Sequence, residues 1–176
     1  MRPFWWAEMR SNWHVATAAE AMAAAQFARL GYDVSVQYGA NQPEYDLMIA
    51  DTERTLKVSV KGSRDGGWGL SQSQLSALRK HNPDGPTDYH RAADNWLQRH
   101  KPRTVMCFVQ FKDAPIDALP RIYLAWPQEV CDLLKSARGG KGDTILWEQR
   151  DDRGLRASIP THWTMSKERV ADLISE

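Results

Sequence analysis

Two short apolar segments, each carrying an ionic residue, constrain this chain more than any other feature. They are residues 43–49, Pro-Glu-Tyr-Asp-Leu-Met-Ile, and residues 58–63, Val-Ser-Val-Lys-Gly-Ser. Side chains alternate between the two faces of a β-strand with a period of two. This alternation places Ser59 and Lys61 on one face, and the same phase places Asp46 beside them. The pattern therefore predicts neighbouring strands that hold an aspartate and a lysine side by side, where they suit a hard cation and a phosphate.

A helix is predicted before these strands, because residues 17–30 are rich in alanine and contain neither glycine nor proline. Thr17 and Glu20 have the spacing of a capping box, and Gly31 is placed to end the helix. Glu20 also lies on the apolar stripe that should face the sheet. Its carboxylate therefore has two candidate uses, as a helix cap or in a site, and the sequence leaves both open. Residues 1–15 are aromatic and are predicted to be an irregular lead-in.

The remaining pattern indicates one α/β domain over residues 1–176, because the chain is too short for two ordinary domains. Residues 62–69 are predicted to be a glycine-rich loop. Apolar periodicity and turn signals predict strands at 34–38, 45–50, 55–61, 104–111, 121–125 and 144–147, with further helices at 71–81, 88–99, 128–137 and 167–174. This order gives a mixed β-sheet flanked by helices.

The motif residues resemble those of the PD-(D/E)xK nuclease superfamily, in which an acidic residue opens one strand and (D/E)xK closes the next. The resemblance covers residues 16–63 by motif and extends to about residue 147 by element order. It implies a restriction-endonuclease-like core and a divalent-metal-dependent endonuclease that hydrolyses phosphodiester bonds in DNA. One position departs from the pattern, because Ser59 stands where the family usually has Glu or Asp, with Gln in some branches.

The resemblance also implies roles for individual residues. It assigns roles in catalysis to four side chains: Glu20, Asp46, Ser59 and Lys61. The metal, Mg²⁺ or Mn²⁺, would be held by Asp46, Glu20 and the backbone carbonyl of Val60. Glu44 precedes Asp46 by two residues and is expected to supply the charge that Ser59 lacks. Mg²⁺ is commonly held through one or two carboxylates, so a site without an acid at position 59 is still expected to bind it weakly.

Nucleic-acid contacts must come from a local patch, because the net charge is only +1. The residues expected to contact nucleic acid are Lys61, Arg64, Lys101 and Arg103. DNA is the expected partner, and a homodimer is left open.

No apolar run is long enough to predict a membrane span. Cys107 and Cys131 are expected to be reduced core residues of a cytoplasmic protein.

Two other functions are compatible with the sequence. A catalytically inactive protein of the nuclease fold, acting as a nucleic-acid- or protein-binding module, would explain Ser59, and Asp46 and Lys61 would then form an ordinary ion pair. An interaction protein that uses some of the eight tryptophans as interface anchors is a third hypothesis. Dependence on a divalent metal distinguishes the nuclease from both.

Overall fold

A five-stranded mixed sheet flanked by helices forms the centre of the protein. The computed structural model describes residues 11–37 and 45–176. Its elements in chain order are α1 (Asn12–Arg29), β1 (Asp33–Val36), β2 (Leu47–Ala50), β3 (Thr55–Ser63), β4 (Gly67–Gly69), α2 (Gln72–His81), α3 (Tyr89–Leu97), β5 (Thr104–Gln110), β6 (Arg121–Ala125), α4 (Pro127–Gly140), β7 (Ile145–Trp147), β8 (Ala157–Ser158), a 3₁₀ turn (Thr161–Trp163) and α5 (Lys167–Ser175).

The large sheet has the strand order β1-β2-β3-β5-β6. Within it β3 and β5 are parallel, and the other neighbouring strands are antiparallel. The parallel pair needs a long crossover, which the segment containing β4, α2 and α3 supplies. The strands β4, β7 and β8 form a separate three-stranded sheet. The architecture is therefore α/β with a mixed sheet, as predicted.

Helices cover both faces of the large sheet. On one face, α1 and α5 bury a core that includes Phe27, Leu47, Ile49 and Leu173, each with no exposed surface. On the other face, α3, α4 and the small sheet bury a second core that includes Phe108. All seven residues of β5 are buried, as expected for a central strand covered on both faces.

The side chains of β3 divide between these two cores. Leu56, Val58 and Val60 pack in the core under α1. Ser59 and Lys61 alternate with them and therefore point to the opposite face. In the parallel register they lie beside Met106 and Phe108, which belong to the second core.

The first helix starts earlier than the sequence pattern predicted. Ser11 caps it, its side chain accepting a 3.3 Å hydrogen bond from the backbone N–H of His14. Residues 12–15 of the predicted irregular lead-in are therefore helical, while residues 1–10 lie outside the described part of the chain. The end of the helix is as predicted, with Gly31 adopting a positive φ of 93° directly after it.

Two further expectations can be compared with the fold. Cys107 and Cys131 are both buried and unpaired, as predicted. The predicted loop at residues 62–69 is instead the end of β3 followed by a short turn and β4. None of the helices in the described residues is both long and apolar enough to cross a membrane.

Candidate functional site

Asp46 lies at an irregularity just before β2. Its backbone N–H donates a 2.8 Å hydrogen bond to the carbonyl of Val58, although Leu47 is the residue paired with Val58 in the strand register. Two consecutive residues therefore face one residue of β3, which is the arrangement of a β-bulge. Bulges re-aim side chains, so the period-two argument that placed Asp46 in phase with Ser59 and Lys61 does not hold at this residue.

The bulge directs the Asp46 carboxylate at the backbone of Val60. Asp46 Oδ2 accepts a 2.6 Å hydrogen bond from the Val60 N–H. In an antiparallel pair, the N–H and C=O of one residue point towards the same neighbouring strand. The Val60 carbonyl, which the resemblance implies as a metal ligand, is therefore directed to the same side of β3 as the Asp46 carboxylate.

Glu20 lies beside these groups and is not a helix cap. Because α1 begins at Asn12, Thr17 and Glu20 are interior helical residues, and the predicted capping box does not form. Burial raises the pKa of the Glu20 carboxyl, the negative charge of Asp46 raises it further, and the ammonium of Lys61 lowers it. Asp46 and Lys61 therefore both act electrostatically on Glu20.

Gly62 allows α1 to approach this end of β3. A Cβ atom at position 62 would lie 2.8 Å from Val15 Cγ1, 2.8 Å from the Val15 carbonyl oxygen and 2.9 Å from Ala19 Cβ. These separations are shorter than carbon atoms tolerate, so only glycine permits the contact. Glu20 follows Ala19 directly, and the close approach at Gly62 therefore helps to place Glu20 near Lys61.

Lys61 is exposed, and its backbone is held from the second core. The indole Nε1–H of Trp68 donates a 2.8 Å hydrogen bond to the Lys61 carbonyl. Trp68 is only 3 % exposed and packs on Phe108 with ring centroids 5.3 Å apart. Ser59, two residues before Lys61, is 4 % exposed. A side chain at position 59 is therefore largely shielded from water.

The other predicted nucleic-acid contacts separate into two groups. Arg64 is exposed in the turn that follows β3, where Ser63 Oγ donates a 3.0 Å hydrogen bond to Asp65 Oδ1. Lys101 and Arg103 instead precede β5, at the opposite end of the parallel pair from Lys61. The Arg103 guanidinium donates to the carbonyls of Thr55 and Ile174 at 3.1–3.3 Å. The structure therefore does not bring Lys101 and Arg103 to the site.

The donor set fits a weak, all-oxygen cation site. Within residues 11–37 and 45–176, no group of three or more His, Cys, Asp and Glu side chains has the arrangement of a metal centre. Glu20 and Asp46 supply two carboxylates, and Val60 supplies a carbonyl directed to the same side. Glu44, the expected substitute for the missing acid, lies outside the described residues. Mg²⁺ accepts such a set, because it keeps several waters and is often completed by substrate phosphate.

Three features of the site were not found from the sequence. The bulge at Asp46 and the hydrogen bond from Trp68 to Lys61 depend on tertiary packing and leave no periodic signal. The third, the contact at Gly62, had a signal, since a glycine directly after a strand lysine marks a close approach of another backbone.

Comparison of the chain with protein-family models, with curated proteins and with solved structures gave no match. The candidate site therefore depends on the geometry of Glu20, Asp46, Val60 and Lys61.

Proposed function

We propose that this protein is a divalent-metal-dependent DNA endonuclease of the PD-(D/E)xK type, acting in the cytoplasm. The observation that carries the proposal is that one end of β3 receives both acids: the Asp46 carboxylate bonds to the Val60 N–H, and α1, which carries Glu20, packs on Gly62 beside Lys61. The element order supports it too: a helix, an antiparallel three-strand meander, and a strand added parallel to the third are the order expected of a restriction-endonuclease-like core.

An ordinary ion pair between Asp46 and Lys61 accounts less well for the arrangement. A structural ion pair needs one carboxylate, and a second carboxylate beside it adds repulsion. Glu20 is held near Asp46 although that charge and partial burial both disfavour its ionised form. Two carboxylates held close together are typical of sites that bind cations or transfer protons. The cost of placing Glu20 there is explained if a cation binds between the two acids.

The proposed roles follow from the chemistry of each group. Mg²⁺ or Mn²⁺ would be held by Asp46, Glu20 and the Val60 carbonyl, and when bound it would supply polarisation of the phosphate and activation of a water. Lys61 would place its ammonium against the phosphate oxygens, where negative charge increases during hydrolysis. The hydrogen bond from Trp68 fixes the Lys61 backbone, and so limits the positions that the ammonium can reach.

A second candidate function is a nucleic-acid-binding protein with the same fold and no cleavage activity. The buried Ser59 favours it, because the position brings no anionic ligand, and the described residues offer only two carboxylates at the site. Metal affinity in all-oxygen sites depends on ligand charge. The two candidate functions therefore differ in whether the carboxylates of Glu20 and Asp46 suffice to hold the metal that cleavage needs.

Cleavage of supercoiled plasmid DNA in Mn²⁺ or Mg²⁺ tests the proposal. We expect wild-type protein to nick or linearise the plasmid only with the metal, and Asp46→Asn, Glu20→Gln and Lys61→Met to lower the rate, by roughly 10²–10³-fold where one stabilising electrostatic contact is lost. Asp172→Asn, the same chemical change on the exposed side of α5, serves as the matched control and should cleave normally. Cleavage that persists in EDTA, or that survives Asp46→Asn, would contradict the mechanism.

Ser59→Glu separates the two candidates if the wild-type protein is inert. A carboxylate two residues before Lys61 adds an anionic ligand on the strand that carries Val60. A site that is inactive because it lacks this ligand should therefore gain metal-dependent cleavage. Ser59→Gln is the control of similar size without charge. If Ser59→Glu gains cleavage and Ser59→Gln does not, the acidic ligand at position 59 is what the wild-type site lacks. If the wild type and both variants bind DNA without cleaving it, the binding module is favoured.

A further inference from the structure

The face of β2 and β3 opposite α1 is only partly covered in the described part of the chain. In β2, Leu47 and Ile49 have no exposed surface, whereas Met48 and Ala50, which alternate with them, are partly exposed. The second core includes side chains of β5 and β6 but none of β2. On the same face of β3, Thr55, Lys57 and Lys61 form a strip of exposed or partly exposed residues, with the buried Ser59 between the two lysines.

Lys57 lies on this strip and is held in place by an aromatic ring. It alternates in phase with Ser59 and Lys61 and is paired with Met48 in the register of β2 and β3. Its Nζ lies 5.3 Å from the ring centroid of Tyr45. The Tyr45 hydroxyl accepts a 2.9 Å hydrogen bond from Gln37 Nε2, so the ring is fixed from the other side. A cation over an aromatic ring is attracted to the negative face of that ring.

Ser59 makes the strip more positive than the usual family pattern would. Lys57 and Lys61 are four residues apart on one strand, roughly 13 Å, and position 59 lies midway between them. An acidic residue there would stand between the two ammonium groups and neutralise part of their charge. Neither β2 nor β3 contains an acidic residue; Asp33 lies on the edge strand β1, in register with Ala50.

From this arrangement we infer that Lys57, positioned by Tyr45, binds the phosphate backbone of nucleic acid beside the phosphate that Lys61 contacts. The inference rests on the proposed function, and it identifies the part of the surface that contacts the substrate. The partner chemistry follows from charge complementarity, because two ammonium groups on one face of a strand match the regular negative charges of a backbone. The contact is independent of base sequence, because phosphates carry no sequence information.

Equilibrium binding of a short fluorescein-labelled DNA duplex, with Ca²⁺ replacing Mg²⁺ to prevent cleavage, tests the inference over a range of salt concentrations. Lys57→Gln should weaken binding roughly three- to tenfold and lower the slope of log K against log salt by about one, as expected for one lost phosphate contact. Lys167→Gln removes an exposed lysine at the start of α5, on the other face of the sheet, and should change neither quantity.

Tyr45 variants test whether the ring positions Lys57. Tyr45→Phe keeps the ring and should bind nearly as well as the wild type, whereas Tyr45→Leu should reproduce most of the loss seen in Lys57→Gln. The double variant should lose little more than Lys57→Gln alone, because the two residues act as one unit. Additive losses would contradict positioning by the ring.

The outcomes distinguish this inference from the proposed function. If Lys57→Gln binds DNA with wild-type affinity and salt slope while Lys61→Gln is impaired, the inference is wrong and the nuclease proposal stands. If the wild-type protein neither binds the duplex nor cleaves plasmid with Mn²⁺, the proposed function fails and the inference fails with it. Circular dichroism spectra of all variants confirm that any loss of binding is not a loss of folding.

Discussion

The negative charge of Glu20 is unfavourable in the folded, metal-free protein. Partial burial is the main cause of its raised pKa, the Asp46 carboxylate adds to it, and Lys61 compensates only in part. A carboxyl group whose pKa is raised by folding contributes stability that is complete below its unfolded pKa, near 4.5, and is lost as pH rises through the folded pKa. The ionised group therefore opposes folding at neutral pH.

Glu20→Gln should accordingly stabilise the metal-free protein at neutral pH and change its stability little at pH values below the unfolded pKa, where Glu20 is protonated in both states. Urea unfolding in EDTA at two pH values measures this difference. Glu168→Gln is a control with the opposite expected effect, a loss of stability at neutral pH, because backbone and Ser166 contacts at the start of α5 lower the pKa of Glu168. A neutral-pH loss of stability in Glu20→Gln would mean that the carboxylate makes a favourable contact in the folded protein.

At the level of elements, the position of α1 decides the geometry of the site. The sequence predicted the end of this helix from Gly31, because a residue with positive φ after a helix favours glycine. It misplaced the start, because Thr17 and Glu20 match a capping box as well as Ser11 matches a simple cap. Local capping patterns are short and recur by chance, and in the folded protein Ser11 is the residue that caps α1 while Val15 packs against Gly62.

Gly62→Ala should disturb this packing. The added methyl group meets Val15 and Ala19 at 2.8–2.9 Å, so α1 must move, at a cost of about 1–3 kcal/mol in unfolding free energy. The displacement should also weaken metal binding through Glu20, measured by calorimetry with Mn²⁺. Gly69→Ala is the matched control, since the atoms nearest to a methyl group there belong to the end of the flexible Gln72 side chain. Equal stability and metal affinity in both variants would show that α1 is not held by this contact.

The same scale explains why a period of two describes Asp46 incompletely. An aspartate in an apolar segment beside a lysine-bearing strand is a strong local signal, and it makes Asp46 a candidate site residue. Its direction depends on the bulge opposite Val58, where the strand loses its period of two. A single extra residue changes the face of every side chain beyond it, and the sequence carries no periodic mark of that insertion.

For the whole molecule, cation binding at Asp46 and Glu20 should be visible as a change in stability. A ligand that binds only the folded state stabilises it by about 2.7 kcal/mol at a concentration of 100 Kd, or roughly 5–10 °C in Tm for a chain of this size. Thermal unfolding with Mn²⁺ and with EDTA measures the shift. Asp46→Asn should abolish most of it and Asp172→Asn should not; an unchanged shift in Asp46→Asn would place the cation elsewhere.

The main sheet was predictable because its strands carry strong hydrophobic signals. The seven buried residues of β5 read as a strand covered on both faces, and β6 was placed with its observed bounds. The small sheet was not predicted as a unit, because β4 and β8 have three and two residues. Strands this short show no alternation, and they form only because the large sheet and α4 supply a surface on which to pack.

The pairing of β3 with β5 also delays completion of the sheet during synthesis of the chain. The helix and strands that carry Glu20, Asp46 and Lys61 are complete at Ser63, but the strand that covers the other edge of β3 begins only at Thr104. A ribosome adding 5–20 residues per second needs roughly 2–8 s for this interval. Throughout it the nascent chain presents an unpaired apolar strand edge, the feature that recruits other strands during misfolding. Refolding and expression yield should therefore be limited by the closure of this crossover, after the residues of the site have already emerged.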